Sequence, residues 1–218
     1  MSRILTTALA ATLLAAPLQF GTAKAADGPM SIVQQKLEMD IAGFDKDSVL
    51  RDITYRDAAR LDAFDAIRGK AVTEARQGGS AGDVATLDEL SARPAQSFDG
   101  FDLTGDWQCR TIKVGGIASL VVYDWFRCRV TDDGSGWFLE KLNGSQRTEG
   151  RFFNDGNKRQ IYLGAFFVAG DPKPRYGAGR ETDQVGYALR DGQHSWRIEF
   201  PAPVYESKLD ILEFRRKP

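Results

Sequence analysis

The chain has 218 residues, and its 29 basic and 30 acidic side chains give a formal net charge of −1 at pH 7. This balance lacks the basic footprint that a nucleic-acid-binding protein carries, so we expect no nucleic-acid partner. The length allows one or two small domains.

The first 25 residues predict a cleavable secretory signal peptide. Arg3 provides a positive start, a mostly apolar run extends from Ile4 to Leu18, and Ala23 and Ala25 place small residues at the cleavage site. Cleavage removes two bases and no acid, which leaves 27 bases against 30 acids and a net charge of −3. We therefore expect a periplasmic or secreted protein with no transmembrane segment after cleavage.

Helical patterns dominate the chain up to residue 99. Residues 26–53 predict a poorly ordered segment or a short helix, and residues 54–99 predict a helical hairpin. Thr54 is a suitable N-cap for the first helix, with Asp57 three residues later. One apolar stripe follows at helical spacing: Leu61, Phe64, Ile67, Ala71 and Ala75. A hairpin of this size cannot hold a core alone, so we expect the stripe to pack on the remaining chain.

Residues 100–218 predict an antiparallel β-barrel. Apolar and polar residues alternate there, and Gly, Asp and Asn interrupt the pattern at short intervals. We predict eight strands, at 105–114, 120–131, 137–142, 147–153, 159–168, 184–190, 195–201 and 208–216. The expected fold is therefore α+β but mainly β, with the helical hairpin packed on the barrel. The long interruption at 170–183 is a candidate mouth loop.

The two cysteines, Cys109 and Cys128, predict a disulfide between the first two strands. A redox or metal-binding pair is the alternative, but the chain has no C-x-x-C motif and a single histidine. If the two cysteines face each other, Lys113 lies opposite Asp124 on the same face of the hairpin.

The same register predicts a basic cluster of Arg110, Arg127 and Arg129 on the other face of the hairpin. Arg110 and Arg127 would lie directly opposite each other, which is destabilising without a compensating charge. We consider three interpretations: a solvated outer face, an anion site, and a clamp to acids of the first helix. The candidate acids are Asp57, Asp62 and Asp65.

Two resemblances concern the barrel. Gly105 and Trp107 open the first strand, and Arg215 and Arg216 lie in the last, which resembles the lipocalin-type barrel, where a G-x-W packs under an arginine. These four residues are therefore the candidate barrel-closing set. The runs GDWQCRTIK, WFRCR, GSQRT, QVGY and ESKLD resemble an exported bacterial family known as a domain of unknown function (number 4893). This resemblance implies no activity and supplies no catalytic residues.

The sequence contains no catalytic constellation strong enough to name a reaction. His194 could act only with Ser207 or Ser145 brought to it, and the acids Glu140, Glu149, Glu199 and Asp210 are scattered. We assign no catalytic residue, metal or cofactor. Paired aromatic residues, such as Phe152-Phe153 and Phe166-Phe167, indicate core packing or a ligand-lined cavity.

These patterns favour an exported, non-enzymatic binding module. Its barrel would bind a small apolar ligand inside or an envelope protein on its rim. The alternatives are an envelope hydrolase with an Asp/Glu/Ser site and a protein inhibitor of an envelope enzyme.

Overall fold

The computed structural model describes residues 29–42 and 49–216. The predicted signal peptide lies outside the described residues. Five helices precede the strands in the described ranges: α1 (Ile32–Ala42), α2 (Val49–Asp52), α3 (Tyr55–Asp62), α4 (Phe64–Gly78) and α5 (Ala81–Ala92). None of the helices in these ranges is long and apolar enough to cross a membrane.

The predicted first helix of the hairpin is divided at Ala63 into α3 and α4. Its start is as predicted, since the Thr54 hydroxyl accepts the N–H of Asp57 at 3.2 Å. The break lets the two helices cover different parts of the barrel, with α3 against the seventh strand and α4 against the first and last. No glycine or proline marks this break, and the apolar periodicity continues across it. The sequence therefore predicted one helix instead of two.

Nine antiparallel strands follow: β1 (Gly105–Gly116), β2 (Leu120–Val122), β3 (Phe126–Asp132), β4 (Trp137–Lys141), β5 (Gln146–Asn154), β6 (Gln160–Val168), β7 (Asp183–Arg190), β8 (Ser195–Pro201) and β9 (Ser207–Arg215). β1 pairs with β3 on one side and with β9 on the other. Eight strands therefore close into a barrel, and β2 is an extra strand beside the end of β1. The predicted fold class is confirmed.

The predicted second strand, 120–131, is two strands separated at residues 123–125. Trp125 lies in this break, and its ring contacts two cations. The guanidinium of Arg215 lies 3.8 Å from the ring centroid and that of Arg110 lies 4.7 Å away. These contacts hold the tryptophan against neighbouring strands at the point where the ladder is interrupted.

The apolar core fills one end of the barrel, which we call the floor. Trp196 stacks on Phe214 with the ring centroids 3.6 Å apart, and Trp107 and Phe152 pack edge-on against Trp196. On the outside, the helical stripe packs on the barrel as predicted: Leu61 is 2% exposed, and the half-buried Phe64 packs edge-on against Tyr187. The helical segment is thus docked on the barrel wall.

Candidate functional site

Cys109 and Cys128 form the predicted disulfide, with their Cα atoms 5.9 Å apart. The register predicted for them is wrong by two residues, because Cys109 pairs with Phe126 and Cys128 pairs with Trp107. The disulfide therefore joins diagonal neighbours. Lys113 lies opposite Val121 of β2 rather than Asp124, and on its other side it lies opposite Asp210 of β9.

The shifted register changes the surroundings of the three arginines. Arg127 lies opposite Gln108, and Arg129 lies opposite Asp106, which accepts a hydrogen bond from its guanidinium at 2.7 Å. Arg110 pairs with Glu213 of β9 at 2.5 Å. The predicted like-charge conflict between Arg110 and Arg127 does not arise, because the two residues are not directly opposite.

The predicted clamp to helix acids is also wrong. Asp57 accepts hydrogen bonds from Arg60 and Tyr176, and the Asp62 carboxylate accepts two backbone N–H groups at the start of α1. In the described part of the chain, neither these acids nor Asp65 forms an ion pair with the three arginines.

A clamp of opposite polarity joins the helices to the barrel. Helix-segment arginines reach barrel carboxylates that are 1–4% exposed: Arg68–Glu199 at 2.7 Å, Arg93–Glu213 at 3.0 Å and Arg56–Asp183 at 2.9 Å. Arg197 also bridges Glu199 and Asp191 at 2.7 and 2.9 Å. Buried charges need such partners, so these ion pairs are structural contacts between the helices and the barrel.

The barrel-closing residues lie at the floor. Arg216 places its guanidinium 4.0 Å from the Trp107 ring centroid and donates to the Thr104 carbonyl at 2.7 Å. Gly105 has a φ of 110°, and a Cβ there would lie 2.6 Å from the Arg216 guanidinium. Arg215 lies on the outer face, on Trp125. Arg216 is thus the arginine that covers the first-strand tryptophan.

A polar pocket opens at the opposite end of the barrel, and we call it the mouth pocket. It holds about 720 Å³ when the part open to solvent is included. Its polar lining comes from several strands and comprises Thr111, Lys113, Lys141, Gln146, Arg147, Thr148, Gln184 and Asp210, with Phe166, Val204 and Tyr205 towards the rim. The candidate mouth loop contributes Glu181, Thr182 and Asp183.

Tyr162 separates the mouth pocket from the apolar floor. Its ring lies over the paired glycines Gly150 and Gly164, where an added Cβ would come within 2.7 Å of the tyrosine. Its hydroxyl lies 2.7 Å from Thr148 Oγ1, which donates to Gln184 at 2.5 Å. Burial raises the pKa of Tyr162 far above its ordinary value, so this hydroxyl stays protonated.

Lys113 has two acidic partners in the mouth pocket. Its ammonium lies 3.0 Å from Glu206 and 3.5 Å from Asp210. Burial opposes its charge, but Asp210 and Glu206 outweigh burial and raise its pKa. Burial also raises the pKa of Asp210, against the opposing effects of Lys113 and the Ser207 hydroxyl. The positive charge of Lys113 is therefore balanced by carboxylates of the protein itself.

Lys141 is a buried cation without such a partner. The residue is 7% exposed, its ammonium lies 4.4 Å from the Phe126 ring centroid, and Thr111 Oγ1 is 3.4 Å away. Within residues 29–42 and 49–216, no carboxylate lies within 4.0 Å of it. Burial, with Lys113 and Arg147 adding to it, lowers the pKa of Lys141 to about 8.

Sequence reasoning missed Lys141 as a site residue. The sequence did contain a signal for it, because residues two apart on a strand point to the same face. Leu139 and Lys141 share one face of β4, and Leu139 is fully buried. Among the residues weighed for catalysis, Ser207 donates to Asp210 at 2.5 Å, and Glu140 and Glu149 both pair with Lys173, but His194 and Glu199 lie elsewhere. The His194 carbonyl accepts the Arg216 N–H, and Glu199 belongs to the clamp outside the barrel. No group of His, Cys, Asp or Glu that could hold a metal occurs in the described part of the chain.

The fold and the pocket define a closed antiparallel β-barrel with an apolar floor, a charged mouth and helices clamped to its wall. A family model described as Domain of unknown function (DUF4893) matches residues 51–214, and the chain belongs to this family. No curated protein and no solved structure matches the chain.

Proposed function

We propose that this protein is an exported binding module that holds a small carboxylate in the mouth pocket of its barrel. The observation that carries the proposal is the Lys141 ammonium, buried at the pocket wall with no carboxylate partner among the described residues. A buried charge of this kind is costly unless it is paired, and an anionic ligand would supply the missing partner.

The barrel interior argues against a purely apolar ligand. Aromatic rings fill the floor, and Tyr162 closes it from the mouth. The space that remains is lined by lysine, threonine and glutamine side chains, with Arg147 also at the wall. Phe166 and Tyr205, whose rings pack 5.8 Å apart at the rim, can contact the carbon part of a small ligand.

Export rests on the signal-peptide pattern of residues 1–25 together with the Cys109–Cys128 disulfide. A periplasmic or secreted location is therefore part of the proposal. The contact of Arg216 with Gly105 and Trp107 supports a lipocalin-like barrel, a fold that can hold one small ligand.

The test is calorimetric titration of the processed protein with acetate, propionate, benzoate and succinate, each compared with its neutral amide. We expect one or more acids to bind and the amides to fail. Lys141→Met should weaken binding at least about tenfold, the scale of one buried charge-assisted contact. Lys158→Met is the matched control, because Lys158 is exposed in the β5–β6 turn at the floor. Equal binding to Lys141→Met, or no binding of any acid, would overturn the proposal.

The rim supports a second candidate, a protein partner that covers the mouth. Large apolar side chains are exposed around it: Ile117 (88%), Val168 (42%), Val204 (38%) and Tyr205 (45%). Exposed apolar residues gathered at one end are typical of an interaction surface. Ile117→Ser with Val168→Ser, at two exposed positions outside the pocket lining, should abolish association with such a partner and leave carboxylate binding unchanged. If the double variant still associates with the partner, the rim is not the interaction surface, and the pocket alone is favoured.

A further inference from the structure

The surroundings of Lys141 suit a nucleophilic amine. Thr111 and the Phe126 ring flank it, and Lys113 and Arg147 add positive charge nearby. Asp210 opposes their effect on Lys141, but this carboxylate already engages Lys113. Burial together with neighbouring cations favours the neutral amine, the form of a lysine that attacks carbonyl carbon.

We propose that Lys141 forms a reversible imine with a small 2-oxo acid or other carbonyl-bearing carboxylate in the mouth pocket. This inference deepens the proposed carboxylate site and rests on it. The ligand's carboxylate would lie between Lys141 and Arg147, whose guanidinium binds only the Gly144 carbonyl among the described residues. Its carbonyl carbon would then face the Lys141 amine across the pocket.

The step needs no oxidant or reductant. The Lys141 nitrogen lone pair attacks the carbonyl carbon, a C–N bond forms, and the carbonyl oxygen takes a proton to give a carbinolamine. The nitrogen then loses a proton, the hydroxyl is protonated, and the C–O bond breaks to release water. Amine, carbonyl and one proton thus give a protonated imine and one water.

Asp210 is placed to exchange these protons. It lines the same pocket as Lys141, and the Ser207 hydroxyl donates to it at 2.5 Å. Burial raises its pKa, which makes its protonated form more accessible than that of an ordinary aspartate. The protonated imine keeps its positive charge, so the pocket still attracts a carboxylate after the bond forms.

Reductive trapping tests the inference. The processed protein is incubated with glyoxylate or pyruvate and then with borohydride, and the adduct is mapped by peptide mass spectrometry. We expect modification of Lys141 at least about tenfold faster than of exposed Lys158 in the same molecule, because far more of its amine is neutral near pH 7.5. Propionaldehyde, which lacks the carboxylate, should react more slowly, and propionate should protect Lys141.

The variant Lys141→Arg separates this inference from the proposed function. It keeps a cation at the position, so it should still bind propionate but lose the trapped adduct. Trapping at Lys141 no faster than at Lys158, with propionate still bound by the native protein, would overturn the imine and leave the binding site intact. Failure of both trapping and propionate binding would overturn both. If Lys141→Arg does not fold, propionate protection of the native protein decides.

Discussion

Glu199 is expected to be a major stabilising contact between the helices and the barrel. Its side chain is 1% exposed and accepts hydrogen bonds from Arg68 and Arg197, each at 2.7 Å. Glu199→Gln keeps the shape but removes the charge. Among the described residues, Arg68 then has no ion-pair partner and Arg197 has only Asp191. Breaking a buried pair by removing one partner costs about 3–5 kcal/mol. Because Arg68 is 28% exposed and water can reach it, we expect about 2–4 kcal/mol.

The assay is urea unfolding followed by tryptophan fluorescence, with thermal unfolding in parallel. For a domain of this size the loss corresponds to a fall in Tm of roughly 5–15 °C. Glu89→Gln is the matched control, since Glu89 pairs with Arg93 at 2.8 Å but is 74% exposed. We expect the control to unfold like the native protein. Equal stability of the two variants would refute the conclusion that the clamp holds the helices on the barrel.

Three further predictions concern other parts of the molecule. Replacing Cys109 and Cys128 by serine opens a connection spanning 19 residues and should cost about 3 kcal/mol in urea unfolding. Burial lowers the pKa of Lys141 to about 8 against about 10.4 when unfolded, so the unfolded chain binds more protons between these values. Stability relative to Lys141→Met should therefore rise from pH 8 to 10, by at most about 3 kcal/mol; a flat difference would contradict the burial. Gly105→Ala should lower Tm more than Gly134→Ala, because both have positive φ but only Gly105 meets Arg216.

The sequence was informative wherever a pattern depends on neighbours along the chain. Strand alternation and turn residues predicted the barrel, and Thr54 marked a helix start that the structure has. The pairing of strands was less accessible. The register was set two residues wrong because a disulfide spans diagonal as well as facing neighbours, and Cα atoms 5.9 Å apart fit both.

Charge pairing between distant segments could not be predicted from spacing alone. Residues 26–99 carry 14 acidic and 9 basic side chains, and this excess suggested that helix aspartates bind barrel arginines. The structure instead has Arg68 and Arg93 in contact with barrel glutamates. Net charge describes a whole segment, whereas a clamp depends on the few side chains that face the barrel. Lys141 was missed as a site residue because a lysine is normally taken as solvent-exposed.

The clamp and the mouth pocket are joined through α3. Asp57 of this helix accepts the Tyr176 hydroxyl at 2.8 Å, and Arg56 holds Asp183 at 2.9 Å. Asp183 in turn accepts the N–H groups of Gly177 and Gly179, so the helix fixes the shape of the loop between β6 and β7. That loop ends in the pocket lining. The helical segment therefore acts as the outer support of the mouth, and loosening α3 should alter ligand binding as well as stability.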